Sequence, residues 1–160
     1  MSMTAGPANA GVRFPPPLVF ILGLCAGWAI DRYAYSWPIP TSGDTTIWKI
    51  ADVLIVLGIL LALWGIVTFK RARTAIIPNR SASRIVTSGP YRFTRNPMYT
   101  GMSIAYIGAA PLIASVWPFV ALVVVLFIIL RTVILREESY LSHAFGTEYA
   151  EYCSRVRRWG

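Results

Sequence analysis

Long apolar runs separated by short polar stretches dominate the chain. The first run, residues 18–30, becomes a marginal membrane span only when 14–17 are added, because a helix needs ~20 residues to cross the hydrocarbon core. A cleaved signal peptide is the competing reading. Asp31-Arg32-Tyr33 follows at once, without a clear small-x-small cleavage pattern, so 14–30 is read as a retained helix. The second run, 53–69, carries no charge; 47–51 extend it outward, and Lys70, Arg71 and Arg73 end it abruptly. From Asn96 to Leu130 there are 35 residues without a charge. As one helix they would measure about 52 Å, too long for a core about 30 Å thick. Proline disfavours helix interiors, so a turn is expected between Pro111 and Pro118.

The expected spans are therefore about 14–30, 47–69, 98–113 and 117–135, the last two forming a hairpin. Beyond them the pattern changes. Leu141, Phe145, Tyr149, Tyr152 and Val156 recur at spacings of three or four, the mark of an amphipathic helix, with Gly146 as a candidate break. The predicted architecture is an all-α integral membrane protein: one membrane domain over residues 1–160, four transmembrane helices with a helical hairpin, and a C-terminal amphipathic cytoplasmic helix over 137–158. No internal repeat is visible.

Composition narrows the class. The chain is 56% hydrophobic and only 14% charged, against roughly 25% charged in average soluble domains. Two cysteines are too few for a disulfide scaffold, and His143 is the only histidine, so no metal site is expected from this chain alone. Net charge is +8. In a soluble protein this would suggest nucleic acid; here the basic residues flank apolar runs, and the positive-inside bias explains them without a nucleic-acid partner. Residues 70–97 carry seven basic residues (Lys70, Arg71, Arg73, Arg80, Arg84, Arg92 and Arg95) and no acidic one, which places this loop in the cytoplasm. Four spans put both termini there too. Trp28, Tyr33, Tyr35, Trp37, Trp48 and Trp117 fall at the opposite interface, where aromatic belts form.

Polar residues in such a chain are the informative ones. Two clusters stand at the cytoplasmic ends of the spans. In the first, Gly89-Pro90 marks a turn, and Asn96-Pro97 reads as a helix start with Asn as cap. Its positive end, with Arg92 and Arg95 nearby, suits a carboxylate or phosphate; a capped helix anchored on lipid headgroups is the plainer reading. In the second, Arg131 and Glu138 are seven apart on one predicted helix face, and Glu137 and Glu138 are the only acidic residues near the inner span ends. A ligand site and a structural Arg–Glu pair are equally consistent with that spacing. Tyr149 and Tyr152 read as packing residues unless the tail folds back over the first cluster.

Together the clusters resemble the membrane methyltransferases of the isoprenylcysteine carboxyl methyltransferase and phospholipid methyltransferase superfamily. The first signature reads Gly89-Pro90-Tyr91, then Arg95-Asn96-Pro97-Met98-Tyr99-Thr100-Gly101; the second reads Glu137-Glu138, Leu141, Phe145-Gly146, Tyr149, Tyr152 and Val156. The resemblance covers about residues 85–158. It implies S-adenosylmethionine as cofactor, with Tyr91, Arg95, Asn96, Pro97, Tyr99, Glu137 and Glu138 in its pocket and the C-terminal segment over it. Arg95 and Glu138 are the catalytic candidates, and Arg131, Tyr149 and Tyr152 the substrate-contact candidates. The implied substrate is a lipophilic acceptor reached from the bilayer. Asn96 stands where the carboxyl methyltransferase branch usually has His, and Arg155-Val156-Arg157-Arg158 where the family usually has Arg-Val-Pro-Arg. Phospholipid amine, lipophilic carboxylate and small thiol all remain open as acceptors. Two other functions compete: an NADPH-dependent reductase of the sterol-reductase type, and a lipid-binding adaptor without enzymatic activity.

Overall fold

In the computed structural model, residues 15–40, 45–72 and 85–160 are described. Of the seven basic residues expected in the cytoplasmic loop, Arg73, Arg80 and Arg84 lie outside these segments. The described chain forms six α-helices: α1 (Pro16–Tyr33), α2 (Thr45–Arg71), α3 (Pro97–Ala109), α4 (Trp117–Ile129), α5 (Leu135–Phe145) and α6 (Thr147–Arg155). Gly89–Arg92 and Ala110–Ile113 are 3₁₀ turns, and Leu130–Ile134 is a π turn that joins α4 to α5. Two stretches, Thr45–Arg71 and Trp117–Phe145, are long and apolar enough to cross a membrane. The four predicted spans coincide with helices to within a few residues. Large apolar side chains on the outward face of α2, among them Val53, Leu57, Leu60 and Trp64, are exposed, as expected where the surrounding solvent is lipid.

α2 packs along α3, and α1 along α4. Small residues make the first contact possible. A Cβ built on Gly58 would lie 2.5 Å from the Gly101 carbonyl oxygen, and one on Gly101 the same distance from the Gly58 carbonyl. Only glycine allows the backbones this close, and close approach drives helix association where lipid removes the hydrophobic gain. The main core sits between α1, α3 and α4 and includes Phe20, Tyr106, Leu122, Val125 and Ile129. Within it Tyr106 donates to the Pro118 carbonyl at 2.9 Å, tying the two arms of the hairpin together.

The hairpin turns where its prolines predict. The 3₁₀ turn at Ala110–Ile113 ends at Ala114, whose φ of 53° is left-handed, and Pro118 occupies the first turn of α4. The chain after α1 is bonded to this tip. Asp31 accepts hydrogen bonds from the Ser115 hydroxyl (2.7 Å), the Trp37 N–H (3.1 Å) and the Ser36 hydroxyl (3.2 Å), and Ser115 is fully buried. Trp37 and Trp117 meet edge to face, and the Trp117 indole donates to the Tyr35 carbonyl. Tyr35, Trp37 and Trp117 thus meet at the end remote from the two polar motifs.

The tail expected over 137–158 is helical and divides at Gly146, the candidate break. α5 continues the α4 helix through the π turn. The chain then breaks at Gly146 (φ 51°, ψ −118°), and α6 folds back so that Tyr149, Tyr152 and Val156 pack with Ile85, Leu141 and Phe145. A φ of that sign costs glycine little.

Candidate active site

The first motif enters the site through the Gly89–Arg92 turn. Gly89 has φ of 60° and lies against Thr68 near the end of α2, where a Cβ would meet the Thr68 hydroxyl at 2.8 Å. The turn buries Tyr91, whose ring meets Phe69 edge-on at 4.9 Å between centroids. Burial pushes the Tyr91 phenol above its usual range, and the nearby Glu137 adds to this. The Tyr91 carbonyl accepts the Tyr152 hydroxyl at 2.8 Å, which pins α6 to the turn. That phenol is pushed up to about 12 by burial, with Arg95 opposing. Tyr149 and Tyr152 are therefore buried in the fold-back and bind it together.

Asn96 and Pro97 stand at the start of α3 as predicted, but Asn96 does not cap it with its side chain. Its amide donates instead to the Arg158 carbonyl at 3.1 Å. The Thr94 hydroxyl donates to the same carbonyl at 2.9 Å and accepts the Asn96 N–H at 3.2 Å. The Arg95 N–H donates to the Arg157 carbonyl at 2.9 Å. Residues 156–159 thus form a strap stitched across the N-terminus of α3 through main-chain carbonyls.

The two carboxylates take separate partners. Glu137 accepts the Tyr99 hydroxyl at 3.0 Å. Burial raises the Glu137 carboxyl to about 7, the Tyr99 bond opposes the rise and the adjacent Glu138 adds to it; the residue lies beyond the apolar stretch 117–135. Glu138 meets Arg158 through two parallel bonds, Nε to Oε1 at 2.9 Å and Nη2 to Oε2 at 2.7 Å. Arg95 Nη1 lies 3.2 Å from Glu138 Oε1 and 2.7 Å from Cys153 Sγ. A fork of this kind is among the stronger charge-assisted contacts, and Glu138 raises the Arg158 guanidinium above its usual range.

Arg131 does not join this cluster. It is exposed in the π turn, with its guanidinium carbon 5.3 Å from the Phe127 ring centre. The structural Arg131–Glu138 pair, one of the two readings of that spacing, presumed an unbroken α-helix between them; a π turn intervenes, and Arg95 and Arg158 take the carboxylate. Arg158, Thr94 and Cys153 are the contributors that spacing did not reveal. The run Arg155-Val156-Arg157-Arg158 was the available signal for the first, since Glu138 needed a cation and Arg158 was in reach of a folded-back tail.

Two buried donors in the cluster have no protein partner, the Tyr91 hydroxyl and Arg95 Nε. A buried donor left unpaired costs roughly 1–3 kcal/mol. Among the described residues no group of His, Cys, Asp and Glu is placed to hold a metal ion.

These features define a helical membrane protein with a polar, buried site at one end of its bundle. A family profile described as phospholipid methyltransferase matches residues 47–148, and the chain belongs to that family, within the superfamily that also holds the isoprenylcysteine carboxyl methyltransferases. It is 33% identical over 141 residues to protein-S-isoprenylcysteine O-methyltransferase B of Arabidopsis thaliana, covering 87% of this chain and 63% of that protein. A probable protein-S-isoprenylcysteine O-methyltransferase of Oryza sativa subsp. indica is 30% identical over 106 residues, 65% of this chain and 56% of the relative. The cobalt-zinc-cadmium resistance protein CzcN of Cupriavidus metallidurans is 30% identical over 108 residues, 67% of this chain and 49% of its own. The chain thus spans about half to just under two thirds of the length of these relatives. No solved structure matches it.

Proposed function

We propose that the protein is an S-adenosylmethionine-dependent methyltransferase acting at the cytoplasmic face on a lipophilic acceptor, a carboxylate or an amine, that arrives from the bilayer. One observation carries this reading: the two motifs converge on one cluster, Arg95–Glu138–Arg158 beside Tyr99–Glu137, whose buried Tyr91 hydroxyl and Arg95 Nε lack partners. Unpaired cationic and phenolic donors next to carboxylates suit a ligand bearing both a carboxylate and an ammonium group. Family membership favours methyl transfer over the reductase and adaptor readings.

The bound cofactor would supply a methyl group on a cationic sulfur. The residues that would hold it are Tyr91, Arg95, Asn96, Pro97, Tyr99, Glu137 and Glu138. Arg95 offers a donor to a carboxylate, and Glu137 an acceptor to an ammonium group or a ribose hydroxyl. The strap 156–159 and α6 close the site toward water. These residues would hold the acceptor's lone pair in line with that methyl group. The protein's contribution is chiefly alignment, worth about 7–11 kcal/mol when complete. A carboxylate acceptor needs no base. An ammonium must first lose a proton, which Glu137 can take in its ionised form.

Titration calorimetry of the purified protein with S-adenosylmethionine and S-adenosylhomocysteine tests this. Saturable binding of both is expected, weakened about tenfold or more in Arg95→Ala by loss of a charge-assisted contact. Absence of binding by either ligand to folded protein would overturn the reading.

A further inference from the structure

A separate polar cleft lies where the folded-back tail meets the turn that opens the first motif. Thr87, Arg92, Tyr152, Arg155 and Val156 line a space of about 260 Å³. None of the cofactor candidates borders it. Its two arginines come from distant parts of the chain: Arg92 closes the Gly89–Arg92 turn, and Arg155 ends α6. Tyr152 and Arg155 are three apart, so both leave one face of α6. The Tyr152 hydroxyl, bonded to the Tyr91 carbonyl at 2.8 Å, holds that face against the turn. Arg92 and Arg155 are both exposed, and among the described residues neither takes part in an ion pair. Glu138 is held by Arg95 and Arg158, and the exposed Glu148 and Glu151 of α6 pair with neither cleft arginine. Arg155 gives its Nε–H to the Glu151 carbonyl at 3.3 Å, which leaves its terminal nitrogens without a described partner. Two cations on one cleft repel each other unless an anion sits between them.

We infer that this cleft seats the phosphate of an anionic phospholipid, held between Arg92 and Arg155 with the Thr87 hydroxyl as a further donor. A guanidinium presents a fixed fork of N–H groups that matches phosphate oxygens, and basic pockets at the ends of membrane helices are a recurring form of headgroup site. A free phosphate carries the same chemistry, and Phe93 decides between the sources. It follows Arg92 directly and its large apolar side chain is 68% exposed. An exposed aromatic beside a cation suits the boundary between headgroups and acyl chains, whereas a soluble phosphate gives it no role. The lipid bound here is not the methyl acceptor, and its binding is independent of methyl transfer. One phosphate between Arg92 and Arg155 adds a second tie across the joint that the Tyr152–Tyr91 bond closes, so the lipid holds α6 on the turn.

Native mass spectrometry of the full chain, released from detergent and titrated with dioleoyl phosphatidic acid or dioleoyl phosphatidylcholine, counts the bound lipid. Phosphatidic acid is expected to be retained in preference. Arg92→Gln and Arg155→Gln should each weaken its apparent affinity about tenfold, the effect of losing a charge-assisted contact. The double variant should lose less than the product of the two, because both residues meet one phosphate. Arg157→Gln removes the same charge from an exposed position outside the cleft and should stay within about twofold of wild type, as a distant site does. An equal loss in Arg157→Gln would reduce the binding to general attraction, and a full product in the double variant would mean two separate contacts; either overturns the shared seat. Inorganic phosphate should compete only weakly, and Phe93→Ser should weaken lipid binding. Competition as strong as that of phosphatidic acid itself, or unchanged lipid affinity in Phe93→Ser, would overturn the lipid as the occupant. Amide exchange in α6 should slow when phosphatidic acid is added to wild type and stay the same in Arg92→Gln. Exchange in wild-type α6 that ignores the lipid would overturn the tie.

Discussion

Glu138 stands between two guanidinium groups, and the consequences of removing it differ from those of removing either partner. Both arginines are partly covered, with side chains 15% and 34% exposed, so Glu138→Gln leaves two cations facing each other in a sheltered site. A buried pair broken from one side costs about 3–5 kcal/mol, and partial exposure reduces that. Glu138→Gln is expected to lower the thermal midpoint in detergent more than Arg158→Ala does, and differential scanning fluorimetry checks the order. Glu137 behaves differently because its folded carboxyl is raised from 4.5 to about 7. The native state keeps a proton that the unfolded chain has released, so stability is fully present below about pH 4.5 and is lost as pH rises toward 7. Thermal midpoints of wild type should fall across this window and level off above it, and Glu137→Gln should flatten the slope. An unchanged slope in the variant would mean that another group titrates.

Helix contacts show what a linear pattern can and cannot carry. Prolines at 111 and 118 disclosed the hairpin turn, and Gly146 disclosed the break in the tail, because each residue imposes its conformation locally. The Asn96 side chain followed no local rule: a tertiary contact to the Arg158 carbonyl outcompeted the helix cap. Burial of Tyr149 and Tyr152 depended likewise on how far α6 folds back, which spacings of three and four leave open. Family resemblance, not periodicity, brought the two motifs together. At this scale the α2–α3 contact predicts that Gly101→Ala destabilises by about 1–3 kcal/mol through overpacking, because the added carbon meets the Gly58 carbonyl at 2.5 Å. Unfolding in graded denaturing detergent measures it. The strap predicts a second outcome. Thr94→Val with Asn96→Ala removes two hydrogen bonds to Arg158, and tryptic cleavage after Arg157 or Arg158 should quicken roughly tenfold.

Across the whole molecule the polar motifs lie at one end of the helices and Tyr35, Trp37 and Trp117 at the other; that the polar end faces the cytoplasm is our proposal. Cysteine labelling in sealed vesicles decides it. In a Cys25→Ala, Cys153→Ala background, Tyr35→Cys and Ser154→Cys are both exposed positions. They should react with an impermeant maleimide from opposite sides; reaction from one side for both would reject the four-span topology. The π turn at Leu130–Ile134 has a further bearing on how this bundle tolerates change in length. It lets the apolar stretch and the Glu137-Glu138 pair take up orientations that one unbroken α-helix would not combine. Each residue of an α-helix turns the chain by about 100°. A π turn holds about one residue more than an α-helical turn, so deleting one residue in 130–134 would let the turn relax to regular α-helix with both carboxylates still directed at Tyr99, Arg95 and Arg158, whereas adding one would swing them about a quarter turn away. The turn is thus a one-residue slack in the helix, and a relative one residue shorter at this point can keep the same site orientation.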